Sequence, residues 1–191
     1  MQHTNVYPRQ KREQTRRRLV DAAVAVVRSQ GVQGLTLQSV AAEAGLSKGG
    51  LLYHFSSKEE LVTALLHDAM DRVDKDLKQL VNGGERGAFA RAYVEYVRAP
   101  DAYWEESATS VFAAAALEPG RLEQVQQLFG EWQTRLIEDD ELDPRLALLI
   151  RIACDGLWLI DLFGLAPPSD EQRAEVLDFL IQSIELSATP D

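Results

Sequence analysis

A serine between glycines, in the stretch GLSKGG at residues 45–50, is the first feature that could carry out chemistry. Gly45-x-Ser47-x-Gly49 fits the nucleophile elbow of a hydrolase, which needs a strand before the serine and an acid and a histidine later in the chain. The preceding VAAEAG is typical of a helix, and the later histidines, His54 and His67, follow too closely for that fold. A serine hydrolase is therefore the disfavoured alternative, and no catalytic residue is predicted.

Metal and redox chemistry lack suitable ligands in this sequence. The three histidines and the single cysteine, Cys154, show no ligand spacing. One cysteine forms no internal disulfide and fits a reducing compartment. The acidic run EDDELD (138–143) lacks the loop spacing of a calcium site, and we expect a solvated link there. We predict no metal and no cofactor.

The same GLSKGG stretch also fits a helix-turn-helix that covers residues 36–55. Thr36 is a good N-cap for a helix that runs to Ala44, Gly45 stands where the turn needs a left-handed backbone, and Ser47 caps a short helix that ends near Tyr53. Three apolar side chains are expected to lock the two helices together: Val40, Leu46 and Leu51. The alternative is an ordinary helical hairpin.

Charge is distributed very unevenly along the chain. The net charge is −10, yet residues 1–58 contain nine Lys/Arg and only three acids, and six of those bases lie within residues 9–18. A basic head on an acidic body favours an anionic partner for the head alone. Uneven surface decoration is the alternative. Within the head, Arg16, Arg17 and Arg18 lie either at the edge of a DNA groove or on a solvated face.

Helical periodicity covers nearly the whole chain, and no alternating β-branched run appears. After a flexible arm (1–10), we predict an all-α fold of about nine helices, with a domain boundary between 1–57 and 58–191. Ser57 with Glu60, Asp143 with Pro144, and Ser169 are expected to start helices. Gly31 should end the first helix. The predicted helices are 11–29, 36–44, 47–53, 57–81, 85–98, 101–117, 121–138, 145–164 and 170–187.

The most apolar stretch, residues 146–165, is long enough to span a membrane. It carries Arg151, Asp155 and Asp161, however, and charges at membrane depth are costly. The N-terminus also lacks the apolar segment of a secretory signal. We expect a buried helix in a cytoplasmic protein, with no membrane partner.

The stretch GLTLQSVAAEAGLSKGGLLYHFSSKEEL (34–61) resembles the N-terminal signature of TetR-family (tetracycline-repressor-like) transcriptional regulators. The likeness lies in the Thr36 start, Gly45, the Ser47-x-Gly49 pair, His54-Phe55 and Ser57-Lys58. It implies an N-terminal three-helix DNA-binding domain and a C-terminal helical domain that dimerises and binds a small effector. Leu52 departs from the family, which usually has Tyr, Phe, Ser or Thr there, so one phosphate contact is expected to be lost or reassigned.

The resemblance also implies roles for individual residues. Thr36 and Ser47 would cap helices whose N-termini point at phosphates, Lys48 would contact a base or a phosphate, and Gly49 and Gly50 would allow close approach to DNA. Packing at the end of the short helix is the alternative for Tyr53 and His54. The full set of predicted DNA-binding residues is Thr36, Gln38, Ser47, Lys48, Gly49, Gly50, Tyr53, His54 and Lys58.

Aromatic residues concentrate in the acidic body, where a pocket or simply the core could use them. Asp155 and Asp161 flank Trp158 and would suit a lipophilic cation, unless Asp155 pairs with Arg151 and Asp161 is exposed. We predict these effector contacts: Tyr93, Trp104, Phe112, Trp132, Asp155 and Trp158. We predict these contacts of a homodimer formed by the last two helices: Leu159, Leu162, Val176, Leu177, Leu180, Ile181 and Ile184.

The expected function is that of a sequence-specific DNA-binding regulator, in the form of a repressor that a small hydrophobic, cationic effector releases from a palindromic operator. Double-stranded DNA, a second copy of the chain and the effector are the expected partners. A helical protein-interaction module is the alternative; it would explain the body but not the basic head.

Overall fold

The computed structural model describes residues 6–99 and 123–188, and all regular structure in these two ranges is helical. The expected all-α class is thereby confirmed. The helix predicted at 101–117, together with Trp104 and Phe112, lies outside the described residues. In chain order the helices are α1 (Val6–Gly34), α2 (Leu37–Glu43), α3 (Lys48–Leu52), α4 (Lys58–Leu80), α5 (Ala88–Arg98), α6 (Glu123–Glu138), α7 (Pro144–Phe163) and α8 (Asp170–Ala188).

Helix α1 is longer than predicted at both ends. It begins at Val6, so the expectation of a flexible arm is wrong for residues 6–10. Pro8 falls in the first turn, where a backbone N–H would have no acceptor within the helix, and this position tolerates proline. At Gly31 the backbone leaves helical geometry (φ 68°, ψ 178°) before a last turn that ends at Gly34. Gly31 therefore interrupts the helix where the sequence predicted its end.

The described residues divide into two compact units, and the division falls within α4, between Ala69 and Met70. In the N-terminal unit (6–69), α1 contacts α2, and α2 contacts α3. The core consists of side chains that are inaccessible to solvent or nearly so: Leu19, Ala23, Val26, Leu35, Val40, Leu51, Phe55, Leu61 and Leu65. Burial of these residues fixes the orientation of the short α3.

In the C-terminal unit (70–99 and 123–188), α5 is the central helix and contacts α6, α7 and α8. One cluster of buried residues joins these helices to the end of α4: Leu77, Phe89, Tyr93, Trp132, Leu136, Ile150, Cys154, Leu157, Leu177, Leu180 and Ile184. No described helix has the length and apolar character needed to cross a membrane.

The acidic link between α6 and α7 is not the fully solvated segment that we expected. Asp140 is only 3% exposed and Leu142 is also buried. The Asp140 carboxylate accepts hydrogen bonds from the backbone N–H groups of Phe89 and Ala90, at the start of α5. The expectation was wrong at these two positions because the carboxylate has backbone partners that are distant in the sequence.

The helix starts predicted from caps are largely confirmed. Asp143 accepts from the backbone N–H of Arg145 ahead of α7, and Ser169 exchanges hydrogen bonds with Gln172 ahead of α8. At α4 the predicted capping box is only half formed. Ser57 accepts from the Glu60 N–H, but the Glu60 carboxylate accepts from the backbone and hydroxyl of Ser56 instead of from Ser57.

Candidate nucleic-acid interface and effector site

Helix α2 begins at a reciprocal cap. The Thr36 hydroxyl accepts a hydrogen bond from the Ser39 N–H at 3.0 Å, and the Ser39 hydroxyl accepts from the Thr36 N–H at the same distance. The predicted role of Thr36 as an N-cap is confirmed. The partner was missed because a serine stands where the usual pattern has Glu or Gln.

The turn after α2 has the backbone conformation that the sequence predicted. Gly45 has a φ of +63°, which glycine adopts without a steric cost. The carbonyl of Ala44 accepts a hydrogen bond from Arg18 Nε at 2.9 Å and a second from its Nη2. Arg18 thus supplies hydrogen-bond donors to a backbone carbonyl at the C-terminal end of α2, and its guanidinium stabilises the turn.

Ser47 is a helix cap in the structure. Its hydroxyl accepts a hydrogen bond from the backbone N–H of Gly50 at 3.0 Å, and its own backbone is extended. The segment before it is helix α2 and a turn, and a nucleophile elbow requires a strand there. The G-x-S-x-G match is therefore explained by capping of α3.

The two glycines at the start of α3 are not required by the packing of the chain itself. A Cβ atom added to Gly49 would lie 3.9 Å from the Ser47 hydroxyl, and one added to Gly50 would lie 3.4 Å from the same atom. Gly49 is exposed and its φ is not positive. No described neighbour excludes a side chain at Gly49.

Most of the residues predicted to bind DNA form an exposed surface around α3. Gly50, His54 and Lys58 are half-buried, and the others are exposed: Thr36, Gln38, Ser47, Lys48, Gly49 and Tyr53. Tyr53 is 69% exposed, which disagrees with a packing role for its ring. Leu52 is 40% exposed beside it.

Arginines of α1 lie against the aromatic residues that follow α3. The guanidinium of Arg12 is 5.4 Å from the centre of the Tyr53 ring, and that of Arg16 is 4.8 Å from the centre of the Phe55 ring. Burial, and then the charges of Arg12 and Arg16, lower the pKa of His54. Arg12 and Arg16 of α1 therefore lie over the rings of Tyr53 and Phe55 and favour a neutral His54.

Arg16, Arg17 and Arg18 of α1 have different environments. Neither a position at the edge of a DNA groove nor a solvated face describes all three. Arg16 lies over Phe55, and Arg18 binds the carbonyl of Ala44. Arg17 is exposed on the surface of the helix. Arg18 is exposed as well, but its guanidinium is bound to the turn, whereas Arg17 is placed as expected for a residue of a solvated or DNA-facing surface.

Three of the six predicted effector residues come together in the C-terminal unit. The rings of Tyr93 and Trp132 meet edge to face at 5.7 Å, and the Tyr93 hydroxyl donates a hydrogen bond to Asp155 Oδ1 at 2.6 Å. The Trp132 indole N–H donates to Asp74 Oδ1 at 3.2 Å. Trp158 is half-buried on the same helix as Asp155.

Asp155 is paired within the chain. Its Oδ2 lies 3.3 Å from Arg151 Nε, as in the second of the two alternatives considered above. Burial raises the pKa of Asp155, while the bonds from Tyr93 and Arg151 oppose this shift. Burial and the charge of Asp155 raise the pKa of Tyr93 well above its usual value, so the phenol stays a donor. Asp161 forms an ion pair with Arg173, so neither carboxylate is free of a cation.

The predicted dimer contacts include residues that are buried inside the single chain. Leu177, Leu180 and Ile184 are at most 2% exposed and belong to the core, so their assignment to an interface is wrong. Helix α8 is apolar on two sides, and periodicity did not reveal which side faces inward. The large apolar side chains of α7 and α8 that are exposed are Leu148, Leu149, Ile152, Leu159, Phe163, Val176, Phe179 and Leu186. Of the remaining predicted contacts, Ile181 is half-buried and the Leu162 side chain is outside the described residues.

Sequence comparison matches both parts of the chain to one family. Residues 19–65 match the bacterial regulatory proteins of the tetR family, and residues 87–185 match the tetracyclin repressor-like C-terminal domain. The regulator SrpR of Pseudomonas putida is 38% identical over 64 residues, which are 34% of this chain and 30% of SrpR. The chain thus aligns with less than a third of that relative's length.

Solved structures with a similar fold cover nearly the whole chain. A TetR-family member from Streptomyces coelicolor superposes with a TM-score of 0.66 at 29% identity, over 87% of this chain and 97% of that one. The multidrug binding protein EbrR, in complex with malachite green, gives 0.65 at 26% identity, over 86% and 96%. The family match to 87–185 alone spans more than half of the chain. The chain therefore belongs to the tetracycline-repressor family of bacterial regulatory proteins.

Proposed function

We propose that this chain is a cytoplasmic transcriptional repressor that binds a palindromic operator as a homodimer and is released by a small hydrophobic cation. One observation carries the proposal: α3 and the residues beside it form an exposed surface that includes Lys48, Gly49 and Tyr53. The second helix of a helix-turn-helix contacts base edges through its N-terminal residues. Lys48 and Gly49 occupy that part of α3.

Dimerisation would follow from the exposed apolar face of α7 and α8. Ile152, Phe179 and Leu186 are 60%, 61% and 79% exposed, and large apolar side chains on two adjacent helices favour a partner surface. A two-fold axis would pair this face with its copy. It would also duplicate α3, so that two half-sites separated by about 34–36 Å, or a multiple of that, could be read together.

The effector would bind at the cluster of Tyr93, Trp132 and Asp155. Two aromatic rings and a carboxylate of low exposure suit a ligand that is flat, apolar and positively charged. The structure of EbrR has been solved with two such dyes, malachite green and ethidium. The ethidium complex superposes on this chain with a TM-score of 0.64 at 29% identity. These likenesses support the ligand class.

Genomic fragment capture by the purified chain tests the proposal. The captured fragment should contain an inverted repeat, and the affinity of the chain for that fragment should fall steeply as the salt concentration rises. Lys48→Ala should weaken binding by at least tenfold, about 1.4 kcal/mol, while Lys75→Ala, an exposed lysine of α4, should not. If no sequence is preferred at low salt, or if both variants bind like the parent, the proposal fails.

A further inference from the structure

The guanidinium of Arg151 lies among groups that an organic cation would also use. Its Nε is 3.3 Å from Asp155 Oδ2, and its Nη1 donates a hydrogen bond to Gln133 Oε1 at 3.2 Å. Its Cζ lies 5.4 Å from the centre of the Phe129 ring, and that ring packs on Trp132 with 5.0 Å between centres. Arg151 is thus bound by a carboxylate, an amide oxygen and an aromatic face.

These groups are arranged for a particular class of ligand. A planar cation with delocalised charge can stack on an aromatic ring while its edge meets a carboxylate, as a guanidinium does. The other oxygen of Asp155 is held by the Tyr93 hydroxyl at 2.6 Å, so the carboxylate keeps its position if Arg151 leaves. Asp155 and Phe129 could therefore receive another planar cation in place of Arg151.

We infer that Arg151 acts as a built-in competitor, whose guanidinium occupies the binding position of planar, delocalised organic cations and sets the affinity at which they bind. The inference deepens the proposed function, since it concerns the same effector cluster. A cation that replaces Arg151 leaves Asp155 compensated. A neutral ligand that did so would leave Asp155 hydrogen-bonded to Tyr93 but without a compensating cation, which is unfavourable for a carboxylate of low exposure.

The exchange is energetically accessible. The Arg151 and Asp155 side chains are 24% and 22% exposed, and ion pairs that retain contact with solvent contribute little to stability. The long arginine side chain can swing toward solvent and keep its charge hydrated. Removal of the Arg151 guanidinium should then raise the apparent affinity for a cation about fivefold to tenfold, because the site beside Asp155 would be open in every molecule.

Dye binding to the full chain without DNA tests this inference separately from operator binding. Ethidium is the planar cation and Nile red the neutral probe, and both are followed by fluorescence titration. Arg151→Met should bind ethidium about fivefold to tenfold more tightly and Nile red as the parent does. Arg145→Met is the matched control, because Arg145 lies on the same helix, is 92% exposed and pairs only with Asp143 among the described residues. It should leave both affinities unchanged.

The gain in Arg151→Met should disappear when Asp155→Asn is added. Equal or weaker ethidium binding by a folded Arg151→Met chain would overturn the inference, as would an equal gain for Nile red, which would indicate that space alone had been created. No ethidium binding by either chain would overturn it too.

A measurement on the unaltered chain covers the case in which Arg151→Met does not fold. Nitrogen-15 NMR of arginine Nε–H groups should show that the Arg151 signal moves toward that of a solvated arginine as ethidium is added. A signal that stays unchanged at saturation would overturn the inference.

Discussion

Asp140 caps the start of α5 although it follows Phe89 by fifty-one residues. Its two carboxylate oxygens accept hydrogen bonds from the N–H groups of Phe89 and Ala90, at 2.9 and 2.6 Å. Its own carbonyl accepts a third bond, from the Gly87 N–H at 3.2 Å. The link between α6 and α7 is thereby attached to the helix at the centre of the C-terminal unit.

Asp140→Asn should lower the free energy of unfolding by about 1–3 kcal/mol, because an amide has one acceptor oxygen and its NH₂ group would face a backbone donor. Urea denaturation measures the loss. Asp139→Asn is the control: this neighbouring side chain is 69% exposed and pairs with Arg135. It should change stability by less than about 0.5 kcal/mol. Equal losses in the two variants would contradict the capping role.

The contribution of Asp140 should also depend on pH. Burial raises its pKa above the ordinary 3.8, although the bonds from Phe89 and Ala90 oppose the shift. Between the ordinary and the raised value, the folded chain binds more protons than the unfolded chain, so this group's contribution falls as pH rises. The stability lost in Asp140→Asn should therefore be largest below the ordinary pKa and should shrink as pH rises through that window. Urea titrations at successive acidic pH values measure this difference, and a difference that grows with pH would contradict it.

Local signals in the sequence predicted local structure correctly. Ser47 and Ser169 accept hydrogen bonds from backbone N–H groups three residues away, and Gly45 has the positive φ that glycine favours. The neighbouring residues in the sequence were therefore sufficient to predict these features. Contacts between distant residues were not accessible in the same way. Asp140 lies in an acidic run that is typical of a solvated segment, and its partners are backbone groups, which leave no mark in the sequence.

The candidate effector site shows the same contrast between local contacts, which the sequence predicted, and contacts between distant residues, which it did not. Tyr93 and Asp155 were singled out separately, one as an aromatic and the other as a charge in an apolar helix. Their hydrogen bond joins positions sixty-two residues apart. The pairing of Arg151 with Asp155 was foreseeable because the two are one helical turn apart, but the Phe129 ring beneath Arg151 comes from another helix.

Gly49→Ala should stabilise the fold and weaken operator binding. Among the described residues the added methyl group meets only the Ser47 hydroxyl, at 3.9 Å. Alanine is favoured over glycine by up to about 1 kcal/mol in a helix. If DNA lies against this backbone, affinity should fall about tenfold or more. Thermal melts and fluorescence anisotropy with the captured operator measure the two effects.

Gly130→Ala in α6 is the matched control for that change. No described residue lies within 4 Å of an added Cβ there, so the helix should be stabilised and operator affinity should not change. Operator binding by Gly49→Ala that equals that of the parent would show that the glycine does not serve close approach to DNA.

Arg18→Ala should destabilise the N-terminal unit by about 1 kcal/mol, because the Ala44 carbonyl at the end of α2 loses its charged donor. The neighbouring Arg17 is exposed. Arg17→Ala should leave stability within about 0.5 kcal/mol of the parent and reduce the salt dependence of operator binding by about one counterion. Thermal melts and binding at several salt concentrations separate the two roles. The same loss of stability in both variants would contradict the assignment.

Phe179→Glu should convert the chain to a monomer, because it places a charge at the exposed apolar face of α7 and α8, where Phe179 is 61% exposed. Analytical ultracentrifugation measures the change, and operator affinity should fall with it, since the two half-sites would no longer be bound by one particle. The nearby Leu177 is 1% exposed and lies in the core. Leu177→Ala should therefore cost about 2–5 kcal/mol of stability but leave the folded fraction dimeric. A Phe179→Glu chain that sediments as a dimer would exclude this face, because a carboxylate buried in an apolar interface is strongly unfavourable.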